Sequence, residues 1–296
     1  MLYHLNRIYR YLIVSLVILS LGNFTANCQE KRALVIGIGN YPSESGWNSI
    51  HGDNDVSIIY AVLQEYGFKG ENIMTLVDSD ATYLGITRAF ETLIENSNKN
   101  DIVYIQFSGH GQLITDRNDD EGDGFDESWV AYDAFLSYSP GVYEGQCHFI
   151  DDEISSYAQR LRNKIGRQGK IIVVSDACHS GGGARGDDED IPRGSRDKFI
   201  IPSSQSKSID AGKVEEMPLL FIAACKSYQT NYERKLSDGS YCGSLTYVIS
   251  QDVRNFLETP YINLIAGWNE KLKMISKFPQ TIVEEGMPNH NAKYIF

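Results

Sequence analysis

Two runs of apolar, mostly β-branched residues place the strongest constraint on the fold, because each run ends abruptly in residues that carry chemistry. The first lies in residues 101–111 (DIVYIQFSGHG), and the second in residues 170–183 (KIIVVSDACHSGGG). Such runs are typical of strands buried on both faces, and the glycines after them end the strands. Open α/β sheets build their sites at the carboxyl ends of strands. We therefore expect His110 and Cys178 to meet at one edge of a sheet.

The rest of the chain alternates between the two kinds of secondary structure. Strands are predicted over residues 32–39, 72–77 and 219–224, and helices over residues 53–66, 82–96, 151–165, 244–257 and 261–276. Asp53 and Thr82 are the predicted caps of the first two helices. This alternation, with right-handed crossovers, predicts an α/β fold with a largely parallel sheet covered on both faces. No internal repeat or interdomain linker breaks the pattern, so we predict one domain over residues 29–296.

Composition excludes one class of partner. A hydrophobic content of 42% in 296 residues is ample for a core, and the net charge is −12. Nucleic-acid binding needs a basic surface, so we expect no nucleic-acid partner. The negative charge suits a site that attracts metal ions or the basic side chains of a substrate.

The amino terminus has the layout of a secretory signal peptide. Arg7 and Arg10 precede an apolar run of about eleven residues, and small residues surround a cleavage point after Cys28. The run is shorter than the roughly 20 residues that a membrane-spanning helix needs. We therefore expect export to the periplasm, the cell surface or the medium, with residues 1–28 removed and no membrane span left. A lipid anchor on Cys28 is an alternative, but Asn27 fits that signal poorly.

The segment over residues 181–217 differs from the rest in character. It is rich in glycine, serine and charged residues and poor in apolar ones, which predicts a long, mobile surface loop. Loops of this length in a compact domain are usually functional. Its basic residues near the expected site are Arg185, Arg193, Arg196 and Lys198.

A cysteine and a histidine at neighbouring strand ends predict nucleophilic catalysis. A thiol attacks as thiolate, and an imidazole can accept its proton and later deliver one to a leaving amine. We assign Cys178 as nucleophile and His110 as base. His179 is a poorer base because consecutive side chains point in different directions. The backbone N–H groups of Gly111 and Cys178 are the natural donors for an oxyanion.

The alternative is that both residues are structural. A single buried cysteine is usually inert packing, but two apolar strands ending in SGHG and DACHSG, in that order, favour an active site. A disulfide at Cys178 would abolish the nucleophile, and a chain of this size needs no such crosslink. We therefore expect Cys178 to be a free thiol.

These motifs resemble the caspase-like cysteine peptidases, and the metacaspases more than the animal caspases. The resemblance rests on FSGHG and SDACHSGG, and in order along the chain on RALVIGIGNY, GDNDV, DGFDE, DDE, ACKSYQT and KFPQT. It implies a three-layer α/β/α sandwich around a mostly parallel six-stranded sheet, of the caspase-haemoglobinase type. It also implies peptide-bond hydrolysis by a His/Cys dyad that needs no cofactor, in a monomer.

The carboxylates near the nucleophile predict specificity. Asp176 lies two residues before Cys178 and should flank the pocket for the residue whose carbonyl is attacked, and the resemblance implies Asp55 as a second pocket carboxylate. Carboxylates favour Arg or Lys in the substrate. The alternative is that Asp55 caps a helix and Asp176 only ends a strand. A related peptidase with another preference, such as Asn, and an inactive module that binds partners or calcium also stay open.

The acidic stretch after His110 has two interpretations. Asp116, Asn118, Asp120 and Glu127 follow the spacing of a calcium loop, but Glu121 replaces its required glycine, which argues against an EF-hand. The resemblance implies instead a calcium activator held by Asp126, Asp151, Asp152 and Asp187 or Asp188. A solvated acidic face is the alternative.

The basic residues of the loop suggest self-processing. An enzyme that prefers Arg or Lys and carries Arg185, Arg193, Arg196 and Lys198 directly after its nucleophile can cut its own chain there. We therefore expect self-cleavage in this loop to free the site.

Overall fold

The structure is a computed structural model, and it describes residues 29–179, 190–202, 219–252 and 259–286. The expected signal peptide over residues 1–28 lies outside the described residues, as do Arg185, Asp187 and Asp188. No helix within the described ranges is long and apolar enough to cross a membrane.

The described residues form eleven strands and five α-helices. The strands are β1 (Lys31–Gly37), β2 (Ile73–Val77), β3 (Ile102–Ser108), β4 (Gly111–Thr115), β5 (Phe125–Val130), β6 (His148–Ile150), β7 (Lys170–Asp176), β8 (Leu220–Ala223), β9 (Glu233–Lys235), β10 (Tyr241–Gly243) and β11 (Val283–Glu285). The helices are α1 (Gly52–Glu65), α2 (Tyr83–Asn96), α3 (Asp151–Ile165), α4 (Ser244–Ser250) and α5 (Tyr261–Ile275).

Six strands form the central sheet in the order β11-β8-β7-β3-β1-β2. All neighbours are parallel except β11, which pairs antiparallel with β8 at the edge. The apolar runs that the sequence analysis singled out become β3 and β7, the two central strands, and they are buried along nearly their whole length. The predicted α/β fold with a mostly parallel six-stranded sheet is confirmed.

The helices cover both faces of the sheet. Alternate residues of β3 divide between two apolar cores: Val103 and Ile105 face the core under α2 and α3, while Ile102 and Tyr104 face the core under α1, α4 and α5. A strand with no polar face is the expected result of burial between two helical layers. The three-layer α/β/α arrangement follows from this division.

Helix starts agree with the predictions in one case and differ in another. Thr82 caps α2 as expected, because its hydroxyl accepts a hydrogen bond from the N–H of Gly85 at 3.1 Å. Asp53 is not the cap of α1, which begins one residue earlier, after His51. The reason is packing: an added Cβ on Gly52 would lie 2.4 Å from the carbonyl oxygen of Ser108, so only glycine lets the helix start against the end of β3.

Two smaller sheets flank the carboxyl edge of the central sheet. The strands β4, β5 and β6 form an antiparallel sheet that begins directly after His110, and β9 and β10 form a hairpin. Residues 190–202, the described part of the predicted loop, run between them through isolated bridges to Gly111, Ile114 and Tyr232. This part of the loop contributes buried side chains, since Arg193 and Phe199 are almost fully covered.

Candidate active site

The register of the two central strands brings His110 and Cys178 to the same edge of the sheet. Ser108 of β3 pairs with Asp176 of β7, and each candidate follows its strand end by two residues. Gly111 lies against the nucleophile loop, because a Cβ there would be 2.7 Å from the carbonyl oxygen of Cys178. A side chain at position 111 would therefore push β4 away from Cys178.

The surroundings of His110 fix its tautomer. Its Nε2 lies 2.9 Å from the carbonyl oxygen of Asn48, which can only accept, so Nε2 carries the proton. Its Nδ1 is buried and has no hydrogen-bond partner among the described residues. The ring stacks on Trp47 at 4.8 Å, and its backbone N–H donates to the hydroxyl of Tyr41 at 3.0 Å. His110 thus presents an unshared electron pair on Nδ1 from a rigid position.

Burial lowers the pKa of His110 to about 4, and the neighbouring Arg193 adds to this effect. The unfolded chain takes up this proton near pH 6.5, so between about pH 6.5 and 4 the unfolded state binds more protons than the folded state. Stability should therefore fall as the pH drops through this window, with His110 contributing about 3 kcal/mol of the loss.

Urea unfolding of the Cys178→Ala protein at pH 7 and pH 4.5, compared with the same protein carrying His110→Gln, measures this contribution. The glutamine variant should show a shallower decline in unfolding free energy. Equal declines in both proteins would contradict the assigned burial of a neutral imidazole.

Cys178 is a free, buried thiol at the start of the loop after β7. Its Sγ donates to the carbonyl oxygen of Gln229 at 2.9 Å. Cys225 lies beside it and contacts the same carbonyl oxygen at 3.4 Å. A hydrogen bond with Cys178, together with burial, raises the pKa of Cys225 well above its usual value. Cys225 is therefore a weak nucleophile at neutral pH.

Asp55 and Asp176, the two carboxylates predicted to flank a substrate pocket, lie together in a buried pocket. Asp55 accepts from the N–H of Gly243 at 3.0 Å and from the hydroxyl of Thr246 at 3.0 Å. Asp176 accepts from the N–H of Thr246 at 2.7 Å and from the side-chain amide of Asn231 at 2.7 Å. These donors hold two carboxylates side by side without solvent. Burial and the charge of Asp176 raise the pKa of Asp55 to about 6, although the nearby guanidinium of Arg193 acts to lower it.

Glu233 is a third carboxylate of this pocket, and sequence reasoning missed it. It lies in β9, and His51 holds it through a backbone hydrogen bond of 2.7 Å and a ring contact of 2.5 Å. No motif in the sequence distinguishes Glu233 from the other glutamates of the chain. The role of Glu233 depends on how the β9–β10 hairpin packs over the start of α1. We call Asp55, Asp176 and Glu233 together the acidic pocket.

The side chain of Arg193 fills the acidic pocket. Its Nη1 lies 2.5 Å from Asp55 and 3.8 Å from Asp176, and its Nη2 lies 3.0 Å from Glu233. The side chain is fully buried. Although burial disfavours the charged guanidinium, the carboxylates of Asp55, Glu233 and Asp176 raise the pKa of Arg193 well above its usual range. The pocket is therefore matched to a guanidinium.

The backbone of Arg193 is held as closely as its side chain. Its carbonyl oxygen accepts from the N–H of Cys178 at 2.8 Å and from the N–H of Gly111 at 3.3 Å, the two donors that the sequence analysis named. Its own N–H donates to the carbonyl oxygen of Asn231 at 2.9 Å. The next residue, Gly194, lies against Cys178, since an added Cβ there would be 3.3 Å from the Cβ of Cys178. The peptide bond between Arg193 and Gly194 thus lies beside the backbone of Cys178.

The basic residues of the loop that the structure describes differ in burial. Arg193 is buried in the acidic pocket, whereas Arg196 and Lys198 are exposed, with Lys198 lying 3.4 Å over the ring of Phe125. Arg185 lies outside the described residues.

An acidic cluster lies where β4 connects to β5 and includes the second residue of β5. One carboxylate oxygen from each of Asp116, Asp120 and Asp126 lies within 4.8 Å of the others, so this cluster could hold a metal ion. Asp126 is almost fully buried, and its Oδ2 has no hydrogen-bond partner among the described residues. A set of carboxylate oxygens with one unpartnered atom fits a hard divalent cation such as calcium.

The predicted metal ligands are brought near this cluster only in part. Asp126 belongs to it, and Asp152 is linked to it through the side-chain amide of Asn118 at 2.7 Å. Asp151 has a buried, unpartnered Oδ1, and burial together with Asp126 raises its pKa to about 8. Asp116 and Asp120, which the sequence analysis noted only for their calcium-loop spacing, complete the group.

The fold and the site together define a class of protein. The family model for the caspase domain (peptidase C14) matches residues 30–291, and the chain belongs to this family. A crystal structure of a Geobacter sulfurreducens protein has the same fold, with a TM-score of 0.60 and 22% sequence identity over 90% of this chain and 97% of that one.

Within the family, the chain is related to metacaspases. It is 34% identical to metacaspase-1B of Aspergillus fumigatus over 167 residues, which is 53% of this chain and 37% of that protein. It is 34% identical to metacaspase-4 of Arabidopsis thaliana over 160 residues, 51% of this chain and 34% of that protein. It is 27% identical to metacaspase-1 of Plasmodium falciparum over 243 residues, 79% of this chain and 36% of that protein. The match thus spans about a third of the length of these relatives.

Proposed function

We propose that this protein is a cysteine endopeptidase that cleaves peptide bonds after Arg or Lys and first cleaves its own chain. The observation that carries the proposal is the placement of Arg193, whose guanidinium lies among three carboxylates while its carbonyl oxygen accepts from Gly111 and Cys178. An arginine held at both ends beside a thiol has the position that a substrate residue needs.

Acylation uses Cys178 and His110. The thiol proton passes to the unshared pair on Nδ1 of His110, and Sγ attacks the arginine carbonyl carbon. The N–H groups of Gly111 and Cys178 stabilise the negative charge that forms on the oxygen. Collapse breaks the C–N bond, and the proton on His110 goes to the departing amine. The product is a thioester between Cys178 and the arginine.

Deacylation uses the same two groups in reverse. Nδ1 of His110 takes a proton from water, and the resulting hydroxide attacks the thioester carbonyl carbon. The C–S bond breaks, and the sulfur recovers its proton from His110. Apart from the water molecule, these steps use only the chain's own residues.

The geometry of the acidic pocket supports a preference for arginine over lysine. Glu233 accepts from both Nε and Nη2 of Arg193, while Asp55 accepts from Nη1. A lysine ammonium is a single point charge and cannot make this forked contact. A panel of fluorogenic peptides ending in Arg, Lys, Asn or Asp tests this preference, and turnover after Asn or Asp but not after Arg or Lys would refute the proposed role of the acidic pocket.

Self-cleavage is expected at one bond, between Arg193 and Gly194, because only Arg193 among the described basic loop residues lies in the acidic pocket. Purified wild-type protein should convert to two fragments, and sequencing of the new amino terminus should read Gly-Ser-Arg-Asp. Cys178→Ala should stay intact.

Arg193→Gln should abolish cleavage at this bond, because glutamine brings no charge to the carboxylates. Arg196→Gln is the matched control, since that side chain is exposed, and its fragments should match those of the wild type. Cleavage of Arg193→Gln at the same bond would contradict the assignment.

We extend the proposal to calcium. Asp116, Asp120 and Asp126 would hold the ion, with Asp151 and Asp152 near enough to add to its field. When bound, the ion would neutralise repelling carboxylates and stabilise β5, which pairs with β4 beside Gly111.

Thermal unfolding of the Cys178→Ala protein tests this extension. Calcium chloride should raise Tm by a few degrees relative to EDTA, because a ligand that binds only the folded state stabilises it. Asp126→Asn should reduce the shift. An equal shift in this variant would place the ion elsewhere.

The competing proposal is a caspase-like module without activity. It differs in the reactivity of the thiol, because a dyad activates Cys178 and a structural cysteine stays inert. Labelling of the Arg193→Gln protein, which does not cleave itself, with iodoacetamide should be strong at Cys178 and lost when His110→Ala is added.

We also propose export, on the composition of residues 1–28 and their expected cleavage site. Recovery of protein that begins at Gln29 from outside the cytoplasm would support export.

A further inference from the structure

The segment after Arg193 runs beside β4 and pairs with it at two separate points. Gly194 and Phe199 form parallel bridges to Gly111 and Ile114. The N–H of Phe199 donates to the carbonyl oxygen of Leu113 at 2.7 Å, and the N–H of Thr115 donates to the carbonyl oxygen of Phe199 at 3.0 Å. Strand addition of this kind gives affinity through the backbone and leaves specificity to side-chain pockets.

Phe199 provides that side-chain contact. It is 1% exposed, whereas the residues on either side, Lys198 and Ile200, are exposed. Its ring lies 4.6 Å from the ring of His148 and meets Tyr143 edge-on at 5.5 Å. The ring of Tyr138 closes the site at 6.1 Å. We call the site formed by His148, Tyr143 and Tyr138 the aromatic pocket.

The aromatic pocket is held in place without help from Phe199. His148 lies between the hydroxyl of Tyr143, 2.8 Å from its Nδ1, and the side-chain oxygen of Gln112, 2.8 Å from its Nε2. Both rings are buried. The pocket walls therefore belong to the β4–β5–β6 sheet and the loop before β6, while Phe199 comes from the segment that follows the bond beside the thiol.

We infer that the aromatic pocket is a substrate subsite on the leaving-group side, which takes an aromatic side chain six residues after the cleaved bond, and that Phe199 is its resident occupant. The inference rests on the proposed function, because it takes Arg193 and Gly194 as the two sides of the cleaved bond. It adds a second point of recognition, remote from the acidic pocket.

A consequence for the cleaved enzyme follows. Breaking the bond after Arg193 removes one covalent link, but the pairing with β4 and the burial of Phe199 stay intact. The new terminus at Gly194 therefore remains on β4 and obstructs the leaving-group side. A long substrate must displace this segment, whereas a short substrate that ends in a dye directly after Arg does not meet it.

The first experiment compares cleaved wild-type enzyme with Phe199→Ala on two substrates: a short peptide with a coumarin after Arg, and a quenched peptide with eight residues after Arg. The ratio of kcat/KM for the long substrate to that for the short substrate should rise about tenfold in the variant. Ile200→Ala is the matched control, since that side chain is 54% exposed, and its ratio should equal that of the wild type. An unchanged ratio in Phe199→Ala would overturn the obstruction.

The second experiment tests the pocket itself with Phe199→Ala enzyme. Long peptides with Phe at the sixth position after Arg should be cleaved with about tenfold higher kcat/KM than those with Ala there. The free peptide GSRDKFIIP, residues 194–202, should inhibit long-substrate cleavage, and GSRDKAIIP should not. Equal kcat/KM for the two long substrates, together with equal inhibition by the two free peptides, would overturn the subsite and leave Phe199 as a packing residue.

Short-substrate turnover separates the possible failures. Wild-type enzyme that cleaves no basic short substrate would sink the proposed function and this inference with it. If Phe199→Ala alone lacks short-substrate turnover, Phe199→Leu replaces it in both experiments with the same expected direction. Normal turnover with an unchanged ratio and equal peptides sinks only the aromatic subsite.

Discussion

Replacement of Cys178 by alanine is expected to lower kcat/KM for arginine peptides at least about 10³-fold, since loss of the nucleophile leaves only binding and the oxyanion donors. The same change should keep the Arg193–Gly194 bond intact for days. Initial rates on a fluorogenic arginine peptide, with protein concentration fixed by absorbance, give the measurement.

Cys225→Ser is the matched control for this prediction. Cys225 contacts the same Gln229 carbonyl oxygen as Cys178, but burial and its neighbour suppress its ionisation. Its serine variant should keep most of the wild-type rate. A large loss of activity in Cys225→Ser, with activity retained in Cys178→Ala, would show that Cys225 and not Cys178 is the nucleophile.

Asp176→Asn should lower kcat/KM for arginine peptides about 10²-fold or more. Asp176 and Asp55 are fully buried, and backbone and hydroxyl donors hold their carboxylates in position. A substrate guanidinium would therefore meet two carboxylates that need no rearrangement. Removing one partner of a buried charge pair typically costs about 3 to 5 kcal/mol, which corresponds to roughly two to four powers of ten in affinity.

Peptides that end in asparagine are the control for the Asp176→Asn variant. Turnover of peptides that end in asparagine should not fall in proportion, because a neutral side chain gains little from the carboxylate. A variant that loses arginine and asparagine peptides equally would show that Asp176 supports the fold of the nucleophile loop and does not select the substrate. Circular dichroism of each variant checks the fold.

The sequence predicted those parts of the site that depend on strand ends. His110 and Cys178 follow β3 and β7 by two residues each, and parallel pairing makes such positions neighbours wherever the strands are central. Asp176 follows from the same reasoning, since it shares a strand with the nucleophile. The buried strands and the Thr82 cap are local features that apolar runs and single side chains specify.

Two features that sequence reasoning missed, the role of Glu233 and the choice of Arg193 among the four basic loop residues, depend on packing between distant segments. Glu233 approaches His51 across 182 positions, and Arg193 approaches Asp55 across 138. No periodicity relates such pairs. The aromatic pocket is a further case, because the composition around Phe199 predicts a surface loop and its burial arises only from the addition of the segment to β4.

The position of the bond after Arg193 has a kinetic consequence. In the proposed self-cleavage, Cys178 and the carbonyl of Arg193 belong to one polypeptide, and the N–H of Cys178 already donates to that carbonyl oxygen. The first cut would therefore have the high effective molarity of a tethered reaction. Self-cleavage should then follow first-order kinetics, and its half-life should not depend on protein concentration. A single molecule would therefore become active without meeting a second one.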